Sequence, residues 1–354
     1  MNIIRKNKSS RLSYTIIISV LSLGLPIQAV AQNPVVQVHQ IWDAAPHNAF
    51  TGLVRFNGKF YCTFREGTGH VPGENGKDGE IRVIASEDGK QWESVALLQK
   101  EVYDLRDPKL SVTPDNKLMV LMGGTDYDGK ERRGLLPHVS FSKDGRNFSD
   151  PTPIKIDKAI QSNADWLWRV TWHQKTGYGV VYQSKVPGGE TEAFLVKTKN
   201  GKTYKLVSSL NLDGKPNEAT VRVKPDGEMI IIIRRESGNQ HGFIGKSQPP
   251  YQEWTWQDMG MRLGGPDFLV LPDGKLLMGS RVYGEGGATT GLFLGEQDGN
   301  MQQVVAFPSG GDTSYPGMVI MDGILYFSYY SSHEEKTSIY FSEIPLEEII
   351  SGTE

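Results

Sequence analysis

The sequence predicts an all-β fold: a six-bladed β-propeller of four-stranded antiparallel blades. Two-residue turn signals recur between apolar runs, 47 to 61 residues apart. A second series of turns falls between them, and only the segment LEEII near the end reads as helix. Two hairpins in each period of about 50 residues give four strands per unit, which is the arithmetic of a propeller blade.

The first series of turns predicts the inner strand pair of each blade. Such two-residue turns supply the positive φ values of tight hairpins, and their flanks, such as LVRF and KFYCTF, are strand-like. Six units fit between about residues 47 and 343. The six turns are Asn57-Gly58, Asp115-Asn116, Thr176-Gly177, Asp226-Gly227, Asp273-Gly274 and Asp322-Gly323.

The second series predicts the turn between the two outer strands of a blade. Residues 86–92, 142–148 and 198–204 are alike, and each segment starts 56 residues after the one before. Each ends on an aromatic residue that we expect to pack back into the sheet. The last unit lacks an obvious fourth strand, and VVQVHQIW at 35–42 is predicted to complete it.

The N-terminus reads as a signal peptide, residues 1–31, followed by one propeller domain, residues 32–354. Four basic residues precede a short apolar stretch, and Ala29-Val30-Ala31 forms an A-x-A cleavage site. No cysteine lies near that site, so a lipid anchor is not expected. The sequence therefore predicts a periplasmic or secreted protein with no membrane association after cleavage.

Composition narrows the function classes. The net charge of −3 gives no electrostatic case for nucleic acid. Cys62 is the only cysteine, so no intrachain disulfide can form, and its place in FYCTF predicts a buried strand thiol. No His/Asp/Glu cluster shows ligand spacing in the sequence, so we expect no metal and no cofactor.

Aligning the six inner hairpins on their turns predicts which residues reach the axis of the ring. The start of a first strand and the end of its second strand share one face. Counted from the first residue of each turn, the residues eight positions later are Arg65, Gly123, Ser184, Arg234, Arg281 and Tyr330. The residues eight positions earlier are Ala49, Asp107, Trp168, Glu218, Gly265 and Ser314.

The residues on this face predict a site for a charged sugar. Arg65, Arg234 and Arg281 stand at equivalent positions, and an arginine fork suits a carboxylate, sulfate or phosphate. Aromatic side chains can stack on a pyranose ring. The 165–169 cluster, with Asp165 and Trp168, is the best candidate for such a platform.

Several neighbours keep more than one interpretation. Arg106 and Asp107 form either a structural salt-bridge network or substrate contacts. His47 and His70, with Asn48 beside the first, either orient a uronic acid, act as acid or base, or are hydrogen-bonded loop residues.

At this point the chain resembles the sialidase (neuraminidase) superfamily. The three outer turns resemble its Asp-boxes, although each is one residue shorter. The segment from Glu218 to Arg234 resembles the stretch in which a glutamate partners the nucleophile and an arginine grips the substrate. The segment DTSYPGMVIMDG resembles the one that carries the tyrosine nucleophile, here Tyr315.

The resemblance implies a glycoside hydrolase acting on a terminal, acidic sugar of a glycan. Tyr315 would be the nucleophile, Glu218 its base and Asp78 the acid/base, with Glu80 able to compete. The resemblance departs at His47, where sialidases place the first clamp arginine, and at Tyr330, where they place a glutamate. A uronic-acid lyase and a non-catalytic glycan-binding propeller stay open as alternatives.

Overall fold

The computed structural model describes residues 36–184 and 189–351, and the predicted signal peptide lies outside these ranges. Six antiparallel sheets follow one another along the chain, so the predicted six-bladed β-propeller is confirmed. In the described residues one short helix, α1 (Leu346–Ser351), follows the last strand. Within the two described ranges, no helix is long and apolar enough to cross a membrane.

The first three blades contain most of the residues of the predicted site. Blade 1 consists of β2 (His47–Phe56), β3 (Lys59–Gly67), β4 (Glu80–Ser86) and β5 (Glu93–Leu98). Blade 2 consists of β6 (Tyr103–Val112), β7 (Leu118–Asp128), β8 (Glu131–Ser142) and β9 (Thr152–Pro153). Blade 3 consists of β10 (Asp165–Leu167), β11 (Thr171–His173), β12 (Thr176–Ser184), β13 (Thr191–Thr198) and β14 (Tyr204–Ser209).

The other three blades close the ring. Blade 4 consists of β15 (Pro216–Val223), β16 (Met229–Arg235), β17 (His241–Ser247) and β18 (Thr255–Arg262). Blade 5 consists of β19 (Asp267–Val270), β20 (Leu276–Gly284), β21 (Gly287–Gly295) and β22 (Met301–Phe307). Blade 6 consists of β23 (Thr313–Met321), β24 (Ile324–Ser331), β25 (Ser338–Pro345) and β1 (Val38–Trp42).

The N-terminal strand completes the last blade, as the sequence predicts. β1 pairs antiparallel with β25, with Val38 opposite Ser342 and His39 opposite Phe341. Without β1, the outer edge of β25 would present unpaired backbone N–H and C=O groups.

The central strand of a blade is buried on both faces, which explains its apolar run. In β16, Ile231 and Ile233 pack in a cluster with residues of blade 3, while Ile230 and Ile232 pack in a cluster with residues of blade 5. Cys62 of β3 is likewise fully buried, as predicted.

Five of the six inner turns lie where the sequence predicts them, and the third is shifted. His173 pairs with Thr176, so the turn is Gln174-Lys175 and Gln174 takes the positive φ of 52°. The prediction of a turn at 176–177 was wrong by two residues. Since the hairpin alignment is counted from the turn, Trp166 and Tyr182 replace Trp168 and Ser184 as the residues at the end of that hairpin.

The three outer turns share one hydrogen-bonding pattern and join the two outer strands of their blades. In the first, Ser86 Oγ accepts from the backbone N–H of Gly89 at 2.9 Å, and Asp88 Oδ1 accepts from those of Lys90 and Gln91. Residues 142–147 and 198–203 repeat both contacts. Side-chain acceptors of this kind hold a turn whose backbone donors would otherwise lack partners.

A buried lysine lies beneath the axial face. Lys109 of β6 is 1% exposed; its Nζ donates to the carbonyl of Thr51 at 3.0 Å and lies 4.5 Å from the ring centre of Trp168. Burial lowers the pKa of Lys109 to about 7, and the nearby charge of Arg169 adds to the shift. Between pH 7 and the ordinary lysine range, the unfolded chain therefore binds more protons than the folded chain, and stability rises with pH.

We expect Lys109→Met to remove this contribution. From pH 6.5 to 8.5, the wild-type free energy of unfolding should rise relative to that of the variant, with a limiting slope of about 1.4 kcal/mol per pH unit. Chemical denaturation at several pH values measures the difference. Lys143 is exposed, so the free energy of unfolding of Lys143→Met should change with pH as that of wild type does. The same pH dependence for Lys109→Met and wild type would contradict the lowered pKa of Lys109.

Candidate active site

Four inner strands leave the regular strand conformation where they reach the axial face. Each has a register shift, and the residues in or beside the shifts include Phe50, Asp107, Glu218 and Tyr315, with φ of 67°, 49°, 31° and 54°. A bulge re-aims a side chain, and left-handed φ in a non-glycine residue costs about 1–3 kcal/mol. Four such residues at one end of the ring mark the axial face as the candidate site.

Tyr315 and Glu218 form the central contact of the site. The Tyr315 hydroxyl donates to Glu218 Oε1 at 2.5 Å. Glu218 Oε2 accepts from Arg234 Nη1 at 2.6 Å and from the backbone N–H of Gly265 at 2.8 Å. Both Glu218 oxygens are therefore held in place, with one of them directed at the phenol.

The pair has opposite pKa shifts. Burial raises the pKa of Tyr315 well above its usual value, and the charge of Glu218 adds to this, although Arg234 and Arg281 oppose it. Burial would also raise the pKa of Glu218, but the charge of Arg234 and the hydrogen bond from Tyr315 outweigh it and lower that pKa. The phenol is protonated and the carboxylate is ionised and able to accept its proton.

Arg281 is a second arginine close to Tyr315. Its guanidinium carbon lies 5.5 Å from the centre of the Tyr315 ring. Its Nε donates to the carbonyl of Thr313 at 2.8 Å, and Nη2 donates to the Tyr330 hydroxyl at 3.1 Å. Since Arg234 Nη1 lies 3.3 Å from the Tyr315 hydroxyl, both arginines lie close to the phenol, as the hairpin alignment predicts.

Arg65 does not join them. It is fully buried, its Nη2 donates to Asp104 at 2.7 Å and to Asp78 at 3.1 Å, and its Nη1 donates to the carbonyl of Gly69 at 2.7 Å. The guanidinium group therefore makes its hydrogen bonds to acceptors within the protein. We therefore treat Arg65 as a structural anchor of the loop between β3 and β4, and not as a substrate contact.

Asp78 lies in that loop and is tethered at both oxygens. Oδ1 accepts from Arg65, and Oδ2 accepts from the backbone N–H of Thr68 at 3.1 Å and from the Thr68 hydroxyl. Burial works to raise the pKa of Asp78, but the Thr68 hydrogen bonds and the Arg65 charge lower it. This environment favours the ionised form, which cannot donate a proton.

Asp107 has the opposite environment. Burial raises its pKa, although Arg106 and Lys109 oppose the shift. Its Oδ2 lies 3.5 Å from Arg106 Nε, and its Oδ1 is buried without a hydrogen-bond partner. Asp107 and Arg106 line a cavity of about 270 Å³ together with Thr125, Tyr127, Arg132, Leu135, Trp166 and Tyr182.

Two residues that line this cavity, Trp166 and Tyr182, pack in the same hydrophobic cluster as Tyr315. Burial raises the pKa of Tyr182 well above its usual value, and the charges of Glu218, Asp107 and a Tyr315 anion would raise it further. A neighbouring cavity of about 240 Å³ shares Trp166 and Tyr182 and extends to Glu236. A larger space of about 1070 Å³ lies at the inner and outer turns of blades 2 and 3, with a lining of lysines and turn residues that offers no comparable chemistry.

Trp168 forms the floor of the site. It is 1% exposed and its ring packs edge-on against that of Tyr315 at 5.3 Å between centroids. A stacking platform needs an open face, and Trp166, which lines both axial cavities, is better placed for that role. Trp166 also packs over Gly123, where a Cβ would lie 2.5 Å from its ring.

Asp165 and Asn48 serve the local structure. Asp165 is buried and accepts from the Ser162 backbone N–H and hydroxyl at 3.0 and 2.9 Å. Asn48 is fully buried and donates to the carbonyls of Ala45 and Thr337 at 2.8 and 2.9 Å. Neither side chain has a free polar group to offer a ligand, so we leave both out of the candidate site.

His47 and His70 converge on one carboxylate that the sequence reading missed. Asp312 Oδ2 lies 3.2 Å from His47 Nε2 and 2.6 Å from His70 Nδ1. Asp312 Oδ1 accepts from the Tyr330 hydroxyl at 2.7 Å. Asp312 is the first residue of the segment DTSYPGMVIMDG, but it lies in a loop just before β23 and outside the hairpin alignment, which therefore did not single it out.

Other omissions have a simpler cause. Trp166 and Tyr182 follow from the hairpin alignment once the third turn is placed correctly. Glu236 stands two residues beyond Arg234, with which it forms an ion pair, and it also accepts from Arg262 at 3.0 Å. Chemically, the site brings together a phenol, a carboxylate that can accept its proton, two nearby arginines and, in the lining of a cavity of about 270 Å³, the carboxyl group of Asp107.

Comparisons with known proteins give the fold. No family model and no curated protein matches the sequence. Among solved structures, a protein of unknown function from Dyadobacter fermentans is similar at 20% identity and a TM-score of 0.75, over 88% of this chain and 98% of that one. An α-L-arabinofuranosidase, Arb93A from Fusarium graminearum, is similar at 14% identity and a TM-score of 0.67, over 88% and 98%.

A sialidase from Trypanosoma rangeli, in complex with the inhibitor DANA, is similar at 15% identity and a TM-score of 0.67. The match covers 87% of this chain but 56% of the sialidase, so the chain corresponds to about half of that protein. At these identities the likeness is one of fold: the chain is a six-bladed β-propeller of the kind that glycoside hydrolases also use.

Proposed function

We propose that the protein is an exported glycoside hydrolase that removes a terminal sugar with retention of configuration. The observation that carries the proposal is the 2.5 Å hydrogen bond from Tyr315 to Glu218, with Arg234 and Arg281 both close to the phenol. A buried tyrosine paired with an ionised base and two cations has the parts of an activated nucleophile.

In the first step, Glu218 accepts the Tyr315 proton as the phenol oxygen attacks the anomeric carbon. A tyrosyl–sugar bond forms, the glycosidic C–O bond breaks, and an acid protonates the leaving oxygen. In the second step, water attacks the anomeric carbon and gives a proton to the acid residue, which now acts as base. The tyrosyl–sugar bond breaks, and Glu218 returns its proton to the Tyr315 oxygen. Arg234 and Arg281 stabilise the phenolate that develops when Tyr315 loses its proton.

The acid is a choice between two carboxyl groups, and their environments favour Asp107. A general acid must hold a proton near the working pH. Burial raises the pKa of Asp107, whereas the hydrogen bonds of Asp78 lower its pKa. Asp107 also lines the axial cavity, where the leaving group would lie.

The substrate class follows from the cations. Arg234 shares its charge with Glu218 and Glu236, and Arg281 lies 3.4 Å from Asp312, yet both face the space around Tyr315. A sugar with a negatively charged group would bind there with its charge beside the arginines, and Trp166 would contact its apolar face. The glycan would be an oligosaccharide or a glycoconjugate.

Replacing the nucleophile should abolish turnover. We expect Tyr315→Phe and Glu218→Gln to lower kcat by at least about a thousandfold on any glycan that the wild type cleaves. Tyr204→Phe, which removes a buried hydroxyl in an outer turn, should leave kcat unchanged.

A screen of acidic and neutral glycans supplies the substrate, and product analysis identifies the reaction. Hydrolysis releases a reducing sugar, a lyase gives an unsaturated product that absorbs in the ultraviolet, and a binding protein gives neither. Full turnover by Tyr315→Phe would rule out the proposed nucleophile.

The leaving group distinguishes the two candidate acids. With a poor leaving group such as an alkyl alcohol, Asp107→Asn should lose about 10²–10⁴ in rate, and with a nitrophenyl leaving group, which departs without a proton, it should lose little. Asp78→Asn should slow both substrates by the same factor. The reverse pattern would transfer the acid role to Asp78.

A further inference from the structure

We propose that His47, His70 and Asp312 bind a divalent transition-metal ion of the zinc type at the axial face. The inference deepens the proposed function, on which the role given to the ion rests. The three residues offer two imidazole nitrogens and one carboxylate oxygen, all within 4.8 Å of one another. They come from β2, from the loop after β3 and from the loop before β23, which is why ligand spacing in the sequence does not reveal them.

The separations suit one ion between the three atoms. With ligand bonds of about 2.0–2.1 Å, tetrahedral ligand atoms stand about 3.4 Å apart. The 3.2 Å between His47 Nε2 and Asp312 Oδ2 fits this value, and the 2.6 Å between His70 Nδ1 and Oδ2 must open slightly. His70 can make that movement because it lies on the glycine-rich loop 67–79 and its side chain is 49% exposed.

The surroundings hold the ligands in place. Asp312 Oδ1 accepts from Tyr330 at 2.7 Å and lies 3.4 Å from Arg281, which leaves Oδ2 directed at the histidines. The ring of Phe50 packs edge-on against that of His70, with 5.2 Å between the ring centroids, and its centroid lies 6.4 Å from that of the His47 ring. An oriented carboxylate and an apolar wall are common features of metal sites.

The donor set defines the class of ion. Imidazole nitrogen suits zinc, copper, iron, cobalt and nickel, whereas calcium and magnesium prefer oxygen ligands. Three protein ligands leave at least one position open, as in sites where the ion also binds a substrate or water. Asp312 is its one charged protein ligand, and Arg281 already offsets that charge, so a dication here would attract an anionic group.

This charge stands where the sialidase resemblance leads one to expect an arginine. His47 occupies the place of the first clamp arginine, and Arg234 and Arg281 supply the other two cations around Tyr315. A bound ion would restore the third positive charge and anchor an anionic or hydroxyl group of the sugar through its open position.

A control for the site lies in blade 4. His241 Nδ1 lies 2.8 Å from Asp258 Oδ1, and Asn239 completes that group. It repeats the histidine–carboxylate contact of the candidate site but has a single histidine, so it lacks the third ligand. Replacing His241 should therefore leave metal binding unchanged.

The experiment measures metal content and metal spectra without any substrate. The mature protein is stripped with a chelator, dialysed against Zn²⁺ and assayed by elemental analysis, and Co²⁺ is then titrated and followed by visible absorption. We expect one equivalent of Zn²⁺ and the absorption of a low-coordinate Co²⁺ site. His70→Ala and Asp312→Asn should lower the affinity at least about tenfold, and His241→Ala should match wild type.

Circular dichroism of each variant separates loss of the site from loss of the fold, and the exposed His70→Ala is the variant expected to fold normally. Absence of bound metal in the wild type, or equal binding by wild type and His70→Ala, would overturn the inference and leave two hydrogen bonds to Asp312. If metal binds but Tyr315→Phe keeps its turnover, the site stands and the proposed nucleophile falls. If the stripped wild type takes up no Zn²⁺ and still hydrolyses its glycan, the metal site is ruled out and the proposed function stands.

Discussion

The axial site depends on one backbone constraint: inner strands must abandon regular pairing at the same end of the ring. A strand in regular geometry sends successive side chains to opposite faces, into the packing between neighbouring blades. The bulges at Phe50, Asp107, Glu218 and Tyr315 turn these side chains toward the axis instead. Their left-handed φ values are costly, and the sheets on either side, buried on both faces, hold the backbone in that form.

Once those side chains face the axis, charge must be balanced in a poorly solvated space. Glu218 is paired with Arg234, Arg65 with Asp104, and Arg169 with Asp267 at 2.8 Å. A buried charge without a partner would cost several kcal/mol, which is why each of these three arginines forms an ion pair with a carboxylate. Lys109 differs from these arginines. Burial lowers its pKa to about 7, and its Nζ donates to a backbone carbonyl. The site therefore differs from a simple positive clamp, because its cations are largely neutralised before a ligand arrives.

The fold was predictable because it repeats, and the site was predictable only where it follows the repeat. Turn residues with positive φ located five inner hairpins, and the alignment that they define placed Glu218, Arg234 and Arg281 around the axis. The third hairpin was misplaced because Gln174, an uncommon residue for positive φ, makes the turn two residues before Thr176-Gly177. Asp312 and the tethering of Arg65 and Asp78 lie in loops, where contacts depend on tertiary packing that leaves no periodic signal. A hairpin alignment predicts how far along its strand a residue lies, but it does not predict how exposed the side chain is. It could therefore not show that Trp168 is buried.

The pairing of β1 with β25 also has a consequence for the order of assembly. It joins Val38 to Ser342, so nearly the whole chain must be ordered before the ring can close, and contacts so distant in sequence form slowly. The same seam divides the site: His47 and Phe50 belong to blade 1, whereas Asp312 and Tyr315 belong to blade 6. An open ring would thus hold two half-sites, and any ligand that bridges them favours the closed ring over the open one by mass action. The axial site is therefore complete only when the ring is closed.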